Sequence, residues 1–548
     1  MRADLRGWLI LSVGLAACGG GEGVPRLAGV VTAPEAAAGS GAGLGDGKGI
    51  DLAHLWIGEP RPIGPLVGAN AQLAPAGVRV SGSDLGWTFA HRGRLIALFG
   101  DTVPYPNFYC DAPPPFEDDT VGSLPAVYAG GVPRLEFVTR GAGSSDAAWL
   151  RVIKRGAPLS MGAFKTPLTG WSDGEHVFAL FGRVESSRCS EDCEASGLSC
   201  AETLGTCEGS ARSCNTAAAD SGCGSRKCVP ADPGFCIDPT AATYTGSGSE
   251  AASIARDTEL GMQRESEPAT FDSVFTLRSK KFHNPTARTV RAFGYGLAGN
   301  DYAPGYGQLF LWGRPGFSTP RGRGQLYLLT HALPLSVQGG ALDWRPQYFA
   351  GVDPTSNAPR WSEDPRESLP IALDGNVNGD PTEEVGLVEQ MAISWLGPPL
   401  RKWIMLYAGG PDSGMRESGT PSSPRAGAIL MRFADQPWGP WSAARVHMSP
   451  GDASLSGSAS GPGGILYNAA CSDRPGRSCA RSDQIRALDT TSGDCTTSRA
   501  QRDMGYFYGA NVIDAYTRGS AQQLTMYWNV STWNPYGVTL LATEFEVR

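Results

Sequence analysis

The chain has 548 residues, a net charge of −8 and only six histidines. No basic cluster is present, which argues against a nucleic-acid partner, because such partners are bound through grouped Lys and Arg. The few, scattered histidines also argue against a histidine-rich metal site.

The first residues resemble an export signal. A charged start precedes an apolar stretch from Trp8 to Leu15, which is too short to span a bilayer as a mature helix. Leu15-Ala16-Ala17-Cys18 then resembles a bacterial lipobox, which predicts a signal peptide over residues 1–17 and acyl chains on Cys18. The alternative is an ordinary secretory signal with an incidental cysteine. We therefore expect the folded part to lie in the cell envelope, outside the cytoplasm.

Residues 18–50 are mostly Gly, Ala, Pro and Ser, which predicts a disordered, lipid-anchored tether. Residues 51–548 contain nearly all of the 14 Trp, 16 Tyr and 19 Phe, enough for a large core. No stretch after the signal is long and apolar enough to cross a membrane. One large folded body is therefore expected after the tether.

Five compact apolar runs recur along this body, and each is preceded by turn residues. Such runs are typical of strands that are buried on both faces, here as the second strand of a hairpin. The runs are Leu95–Phe99, Val177–Phe181, Leu309–Trp312, Trp403–Tyr407 and Leu524–Trp528. Five hairpin units in series, with weak helical periodicity, predict an all-β fold, a five-bladed β-propeller. A two-sheet sandwich is the alternative.

Two aspartates flank the first hairpin. A two-residue turn at Arg92-Gly93 would place Asp84 directly opposite Asp101, with Cβ atoms about 5 Å apart. Two carboxyls so placed do not both ionise readily, which suits a proton donor beside a carboxylate. Hydrolysis of a glycosidic bond needs such a pair. The alternatives are that both cap turns or hold a cation, and a bulge at Leu85-Gly86 would break the register.

Eight cysteines crowd into residues 186–238, among Ser, Glu, Ala, Gly and Asp, which predicts a disulfide-rich insertion. Zinc is the rival interpretation, but the segment lacks histidine and paired C-x-x-C spacing. Twelve cysteines remain after Cys18, an even number that suits an oxidising compartment. The sequence does not select one of the 105 pairings open to eight cysteines.

A short segment with alternate oxygen side chains resembles a calcium loop, with glycine at its sixth position. The candidate ligands are Asp374, Asn376, Asn378 and Asp380. Its twelfth position is Val385 instead of glutamate, so a plain polar turn is the alternative. No cofactor is expected to be required beyond this structural calcium.

Several tryptophans are candidates for a sugar platform, because aromatic faces stack on sugar rings. They are Trp312, Trp438, Trp441, Trp528 and Trp533. Core positions between blades are the commoner role for such residues.

Several motifs together resemble the domain of unknown function 4185 family. They are Ser83-Asp84-Leu85-Gly86-Trp87, Leu98-Phe99-Gly100-Asp101-Thr102, the strand Trp403 to Tyr407, Pro437-Trp438-Gly439-Pro440-Trp441, and Trp533-Asn534-Pro535-Tyr536-Gly537-Val538. That family is similar to five-bladed furanosidase propellers, and some members are placed in glycoside hydrolase family 183, which acts inside D-arabinan. The resemblance spans most of the chain from about Gly68, apart from the cysteine-rich inserts.

The resemblance implies that Asp84 and Asp101 match the family's acidic positions. Glu389 is the expected third acid, although Gln390 stands where the family tends to have it, and a one-residue displacement in a strand turns a side chain to the other face. Trp87, Trp533 and Asn534 are the expected substrate-binding residues.

The predicted function is a surface-anchored glycoside hydrolase that acts on a furanose-containing polysaccharide such as arabinan. A non-catalytic propeller lipoprotein that binds carbohydrate or protein is the alternative, because a propeller fold alone does not fix function. A third hypothesis is a surface structural protein whose cysteine-rich insertion is the working part.

Overall fold

The computed structural model describes residues 51–68, 78, 80–100, 102–104, 119–141, 143–158, 166–183, 199–201, 204–207, 213–215, 228–230, 235–237, 257–277, 281–291, 307–314, 326–356, 358–373, 387–409, 428–449, 465, 506–533 and 537–548. Almost every regular element in these residues is a strand; two short 3-10 helices, Leu52–His54 and Pro365–Glu367, are also present. No helix in this part of the chain is long and apolar enough to cross a membrane.

The main strands form five sheets, which are the blades of a propeller. From the axis outward, blade 1 comprises Leu85–His91, Arg94–Phe99, Thr120–Pro125 and Glu136–Phe137. In the same direction, blade 2 comprises Thr166–Ser172, Val177–Arg183, Asp257–Arg264, Glu267–Leu277, Arg151–Lys154 and Ala157–Pro158. Blade 3 comprises His283–Arg291, Gly307–Arg314, Tyr327–Ala332, Gln347–Val352 and Pro359–Ser362. Blade 4 comprises Leu387–Leu396, Lys402–Gly409, Ile429–Ala434 and Arg445–Met448.

Blade 5 contains strands from two distant parts of the chain. Tyr506–Val512, Gln523–Trp533 and Gly537–Val547 lie from the axis outward, and Arg518–Gly519 pairs beside the second of them. Leu55–Ile57 and Arg61–Gly68 then pair antiparallel with the third. The innermost strands of successive blades contact one another in turn, and that of blade 5 contacts that of blade 1. The ring of five blades is therefore closed, which confirms the predicted five-bladed propeller.

Each of the five apolar runs is the second strand of its blade, as predicted. In blade 3, Leu309 and Leu311 are fully buried against blade 2, whereas the alternate residues Phe310 and Trp312 are fully buried against blade 4. A strand whose side chains point alternately to opposite faces must be apolar throughout when both faces are covered. This is why these runs lack the polar alternation of a strand at a surface.

The core is divided into five clusters of buried apolar residues, each lying mainly between two neighbouring blades. Full burial of one large apolar side chain stabilises the fold by about 1.5–3 kcal/mol. Trp312, Trp438, Trp441 and Trp528 all belong to these clusters and are at most 7% exposed. For these four residues the structure confirms the core alternative over the sugar platform.

The cysteine-rich insertion contributes two small sheets. Ser199–Ala201 pairs with Phe235–Ile237, and Leu204–Cys207 pairs with Ser213–Asn215 and Cys228–Pro230. The backbone register places Cys200 opposite Cys236 and Cys207 opposite Cys228. The disulfides of this segment stay a prediction. Two further small pairs are Val80–Gly82 with Val103–Pro104, and Val337–Gln338 with Ala341–Leu342.

His447, on the outermost strand of blade 4, packs against blade 5. Its ring centroid lies 5.4 Å from that of Trp528, and its Nε2 lies 2.9 Å from Thr543 Oγ1. Trp528 Nε1 donates to the same hydroxyl oxygen at 3.1 Å, so the hydroxyl is free to donate to a neutral His447. Burial lowers the pKa of His447 to about 3, and the charge of Arg445 acts in the same direction.

This contact predicts an acid-sensitive contribution to stability. Because the pKa of His447 is lower in the folded chain than its ordinary value of 6.5, the unfolded chain binds the proton first as the pH falls. The contribution is complete above pH 6.5 and is lost progressively towards pH 3. Urea denaturation should therefore show a steeper fall in the free energy of unfolding from pH 7 to pH 4.5 for the wild type than for His447→Gln. His54→Gln, at an exposed position, is the control. Equal pH dependence in all three proteins would contradict the prediction.

Candidate active site

The five innermost strands surround the axis and all run in the same direction along it, so that they begin at one face of the ring and end at the other. Near their beginnings, Tyr508 of blade 5 bonds to Asp84, just before blade 1, and at their ends His91 of blade 1 bonds to Ser172 of blade 2. We call the face of the ring at which these strands begin the upper face, and the opposite face the lower face. Asp84 therefore lies at the upper face.

Each innermost strand has a break in its pairing register near the upper face. The breaks lie between Leu85 and Trp87, Pro167 and Thr169, His283 and Thr286, Val388 and Met391, and Tyr508 and Asn511. A β-bulge redirects side chains, and bulges are common at rims of closed sheets and beside active sites. The five breaks together mark the upper face as the place where the regular propeller geometry is modified.

The break in blade 1 follows Asp84 directly. From Trp87 to His91 the pairing is the one fixed by the Arg92-Gly93 turn, but Leu85 is paired with Phe99. Leu85 and Gly86 both have left-handed backbone angles, with φ of 66° and 70°. This conformation is strained for a leucine and must be held by its surroundings. The bulge that the sequence left open at Leu85-Gly86 is present.

Side chains of blade 5 hold this bulge. The Leu85 N–H donates to Ser531 Oγ at 2.6 Å, and Asn529 Nδ2 donates to the Gly86 carbonyl at 2.7 Å. A Cβ atom at position 86 would lie 2.8 Å from Asn529 Nδ2, so glycine is required by both its φ and the close approach. The backbone beside Asp84 is therefore fixed by a neighbouring blade.

Asp84 is 8% exposed, and its carboxylate lies between blades 1 and 5. Its Oδ2 accepts a hydrogen bond from the Tyr508 hydroxyl at 2.9 Å, and Tyr508 is also buried. Asp84 Oδ1 lies tightly against Gly100, and Thr166 Oγ1 of blade 2 also lies near Gly100. The carboxylate is thus contacted from blades 5 and 1.

The bulge also changes the partner of Asp84 across the hairpin. The Gly100 N–H donates to the Asp84 carbonyl at 3.2 Å, so Gly100 occupies the position predicted for Asp101. The predicted pairing returns beyond this point, where Gly82 pairs with Val103. Asp101 itself lies outside the described residues.

Three buried hydroxyls fix the chain on either side of position 101. Ser83 Oγ lies 2.8 Å from Thr102 Oγ1, which lies 2.9 Å from Thr120 Oγ1. Thr102 Oγ1 also donates to the Gly100 carbonyl at 2.8 Å. The ends of the two strands that carry the predicted acidic pair are therefore held together by short polar contacts.

A narrow polar cavity lies on the axis, deeper in the ring than Asp84, and all five innermost strands line it. Its lining residues are Trp87, Thr88, Thr169, Gly170, Thr286, Ala287, Arg288, Ala392, Ile393 and Asn511. Its free space is that of about one water molecule, too small for a sugar ring.

Arg288 closes the axis towards the lower face. It donates to Ser394 Oγ at 2.6 Å and forms an ion pair with Asp514 at 2.9 Å, joining blades 3, 4 and 5. In the described part of the ring, Arg288 therefore blocks the axis on the side away from Asp84.

The predicted site residues are only partly brought together by the described structure. Trp87 is 3% exposed and packs in the core between blades 1 and 2, a position that favours a core role over stacking on a sugar. Glu389 and Trp533 lie on strands at the upper face, but only their backbone is described. The break between Val388 and Met391 contains Glu389, so simple alternation does not decide which way it points.

Other predicted residues lie outside the described residues. They are Cys18, Asp101, Asn534 and the calcium-loop residues Asp374, Asn376, Asn378 and Asp380. Within the described part of the chain, no group of three or more His, Cys, Asp or Glu side chains could hold a metal ion.

Sequence reasoning missed Tyr508, Ser531 and Asn529, the blade 5 residues that contact Asp84 and its bulge. Local patterns could not reveal them, because they lie more than 420 positions away along the chain. The available signal was ring closure: in a closed propeller the innermost strand of the last blade lies beside that of the first.

Comparisons with known proteins do not assign this chain to a family. No protein-family model matches the sequence, and no curated protein matches it. The resemblance to the domain of unknown function 4185 family therefore stays a prediction.

Solved structures that match include an α-L-arabinofuranosidase of Podospora anserina in complex with cellotriose, at 8% identity and a TM-score of 0.30, over 89% of this chain and 97% of that one. A neuraminidase-like protein from A/bat/Guatemala/164/2009 matches at 7% identity and a TM-score of 0.28, over 90% and 94%. A Trypanosoma rangeli sialidase matches at 10% identity and a TM-score of 0.27, over 85% and 54%. At these values the likenesses assign no activity to this chain.

The close approach of Asp84 to Gly100 predicts that the stability of the fold is sensitive to any side chain at position 100. An alanine Cβ at position 100 would overlap Asp84 Oδ1 and lie 2.9 Å from both Leu85 Cδ1 and Thr166 Oγ1. Gly100→Ala should lower the free energy of unfolding by about 1–3 kcal/mol, as overpacking does, measured by chemical denaturation. Gly141→Ala is the matched control, because no atom lies within 4 Å of a Cβ there, and it should change stability by less than about 0.5 kcal/mol. Equal effects of the two changes would be evidence against this packing.

Proposed function

We propose that this chain is a glycoside hydrolase that binds a furanose-containing polysaccharide, such as arabinan, at the upper face. Asp84 and Asp101 are the proposed acid/base or nucleophile pair, with Glu389 as a third acid and Trp533 and Asn534 as substrate-binding residues. The observation that supports this most is the placement of Asp84: a carboxylate held at the rim of the ring by a strained bulge and by side chains of another blade.

The free-energy cost of the strained backbone at Leu85 supports a functional role for the bulge beside Asp84. Left-handed backbone at a bulky residue costs about 1–3 kcal/mol and persists where the surrounding structure imposes it. A carboxylate that only capped a turn would not require the supporting contacts of Ser531, Asn529 and Tyr508. The arrangement fits a site in which carboxylate position matters, as in glycosidic-bond hydrolysis.

A binding protein without catalysis is the second candidate. It is favoured by the small size of the axial cavity, which would not hold a sugar ring, and by the low exposure of Asp84. In that case the upper face would bind carbohydrate or protein through groups at its rim.

Replacement of the proposed acids tests the hydrolase. Asp84→Asn and Asp101→Asn should each reduce oligosaccharide release from a panel of arabinans and galactans by about 100-fold or more, because the proton transfer or the covalent step is lost. The measurement is product release by the purified protein, with thermal unfolding to show that the variants are folded.

Asp343→Asn is the control for this experiment. Asp343 is an exposed acid that pairs with Arg345 outside the upper face, and its replacement should leave release unchanged. Full release by the folded double variant of Asp84 and Asp101 would exclude the acidic pair. Binding of a polysaccharide without release would favour the second candidate.

We also propose that the protein is held in the cell envelope by lipid on Cys18, with residues 18–50 as a tether. The sequence supports this by the lipobox-like Leu15-Ala16-Ala17-Cys18. A polysaccharide substrate at the upper face would then be reached from a membrane surface.

We propose in addition that Asp374, Asn376, Asn378 and Asp380 bind a structural calcium ion.

Cys18→Ser tests the anchor. Because each buried methylene contributes about 0.8 kcal/mol to membrane binding, loss of the acyl chains should move the protein from the membrane fraction to the soluble fraction. Immunoblots of fractionated cells measure this. Cys110→Ser, away from the lipobox, is the control and should stay with the membrane. An unchanged distribution of Cys18→Ser would refute lipidation.

A further inference from the structure

The contact between Tyr508 and Asp84 has a defined hydrogen-bond direction. The two groups meet at 2.9 Å, and both side chains are buried. A tyrosine hydroxyl has an ordinary pKa of about 10 and an aspartic acid one of about 3.9, so near neutral pH the shared proton belongs to tyrosine. Tyr508 therefore donates, and Asp84 Oδ2 accepts as a carboxylate oxygen.

The other neighbours of Asp84 are consistent with this direction. The elements packed against it are the innermost strands of blades 5 and 2 and the second strand of blade 1. Tyr508 donates to the carboxylate, Gly100 lies against its Oδ1, and Thr166 Oγ1 also lies near Gly100; of these three residues Tyr508 is the titratable one. The next described acid on this sheet, Asp119, lies one strand beyond Gly100, beside Thr120.

We propose that Tyr508 is a positioning residue that holds Asp84 as an ionised carboxylate, so that Asp84 is the base or nucleophile of the reaction and another acid is the proton donor. The inference rests on the proposed hydrolysis and assigns the roles within it. A donor directed at a carboxylate favours the charged form, whereas a proton donor must be protonated before each turnover. Asp84 is thus suited to act as the base or the nucleophile, and the other acid is left to donate the proton.

Two chemical routes are open to Asp84, and in both of them every bond and proton is accounted for. As a base, Asp84 takes a proton from water while the water oxygen bonds to the anomeric carbon and the glycosidic C–O bond breaks. As a nucleophile, an Asp84 oxygen forms an ester with the anomeric carbon as that C–O bond breaks, and water later cleaves the ester. In both routes the leaving oxygen receives its proton from the other acid, and one water molecule is consumed.

Tyr508→Phe tests the inference, since it removes the hydroxyl and keeps the ring. The acidic limb of the kcat/KM profile should move to higher pH by about one unit, because the carboxylate loses its donor. At a pH on that limb kcat should fall about tenfold, with KM little changed. Tyr516→Phe is the matched control: Tyr516 is equally buried, but its hydroxyl bonds to the Pro125 carbonyl at 2.7 Å. It should leave the acidic limb in place.

A second readout does not depend on activity. The difference in the free energy of unfolding between wild type and Asp84→Asn, followed from pH 7 to pH 3, reports the pH at which Asp84 is protonated in the folded chain. The same difference in the Tyr508→Phe background should change at a pH about one unit higher. Should Tyr508→Phe not fold, the wild-type midpoint decides: below about pH 3.9 it supports an ionised Asp84, and above it the inference is overturned.

The two readouts separate the inference from the proposed function. Absence of sugar release from every polysaccharide tested would refute the hydrolase, while the stability midpoints would still test the contact. A midpoint that is the same with and without the Tyr508 hydroxyl would overturn the inference, even in an active enzyme.

Discussion

Packing between the faces of adjacent blades is the interaction on which the rest of this structure depends. In the described part of the chain, the buried apolar residues lie mainly between blades, because each second strand is covered on both sides by its neighbours. Each apolar cluster therefore stabilises a pair of neighbouring blades, and the pairing of Leu55–Ile57 and Arg61–Gly68 with the last strand of blade 5 helps to close the ring. Closure fixes the innermost strands side by side around a narrow polar axis.

The candidate site depends on this closure. Asp84 belongs to blade 1, whereas the side chains that hold its bulge and its carboxylate belong to blade 5. The upper face combines this contact with register breaks in all five innermost strands, and Arg288 blocks the axis below. Rigid packing thus surrounds one rim at which the backbone leaves regular pairing, as expected where side chains must be aimed at a ligand.

The fold was accessible from the sequence because burial on both faces leaves a clear pattern. The runs at Leu309–Trp312 and Trp403–Tyr407 could not be surface strands, and their fivefold recurrence predicted the blades. The site was less accessible, since the Leu85-Gly86 bulge displaced the pairing of Asp84 to Gly100. Register beyond a bulge depends on tertiary contacts, here from Ser531, which no local pattern contains. Trp87, in a motif with Asp84, lies beyond the bulge, where regular pairing resumes, and packs in the core between blades 1 and 2.

Blade 5 joins strands from near the two ends of the described chain, and this has a consequence for biogenesis. During synthesis from the amino terminus, Leu55–Ile57 and Arg61–Gly68 emerge more than 460 residues before Gly537–Val547, their partner. Until the last hairpin emerges, the Gly86 carbonyl and the Leu85 N–H have no blade 5 to bind them. The Asp84 arrangement therefore forms only after Gln523–Trp533 has been synthesised, and a chain that ends before this strand would carry the acidic motif without its support.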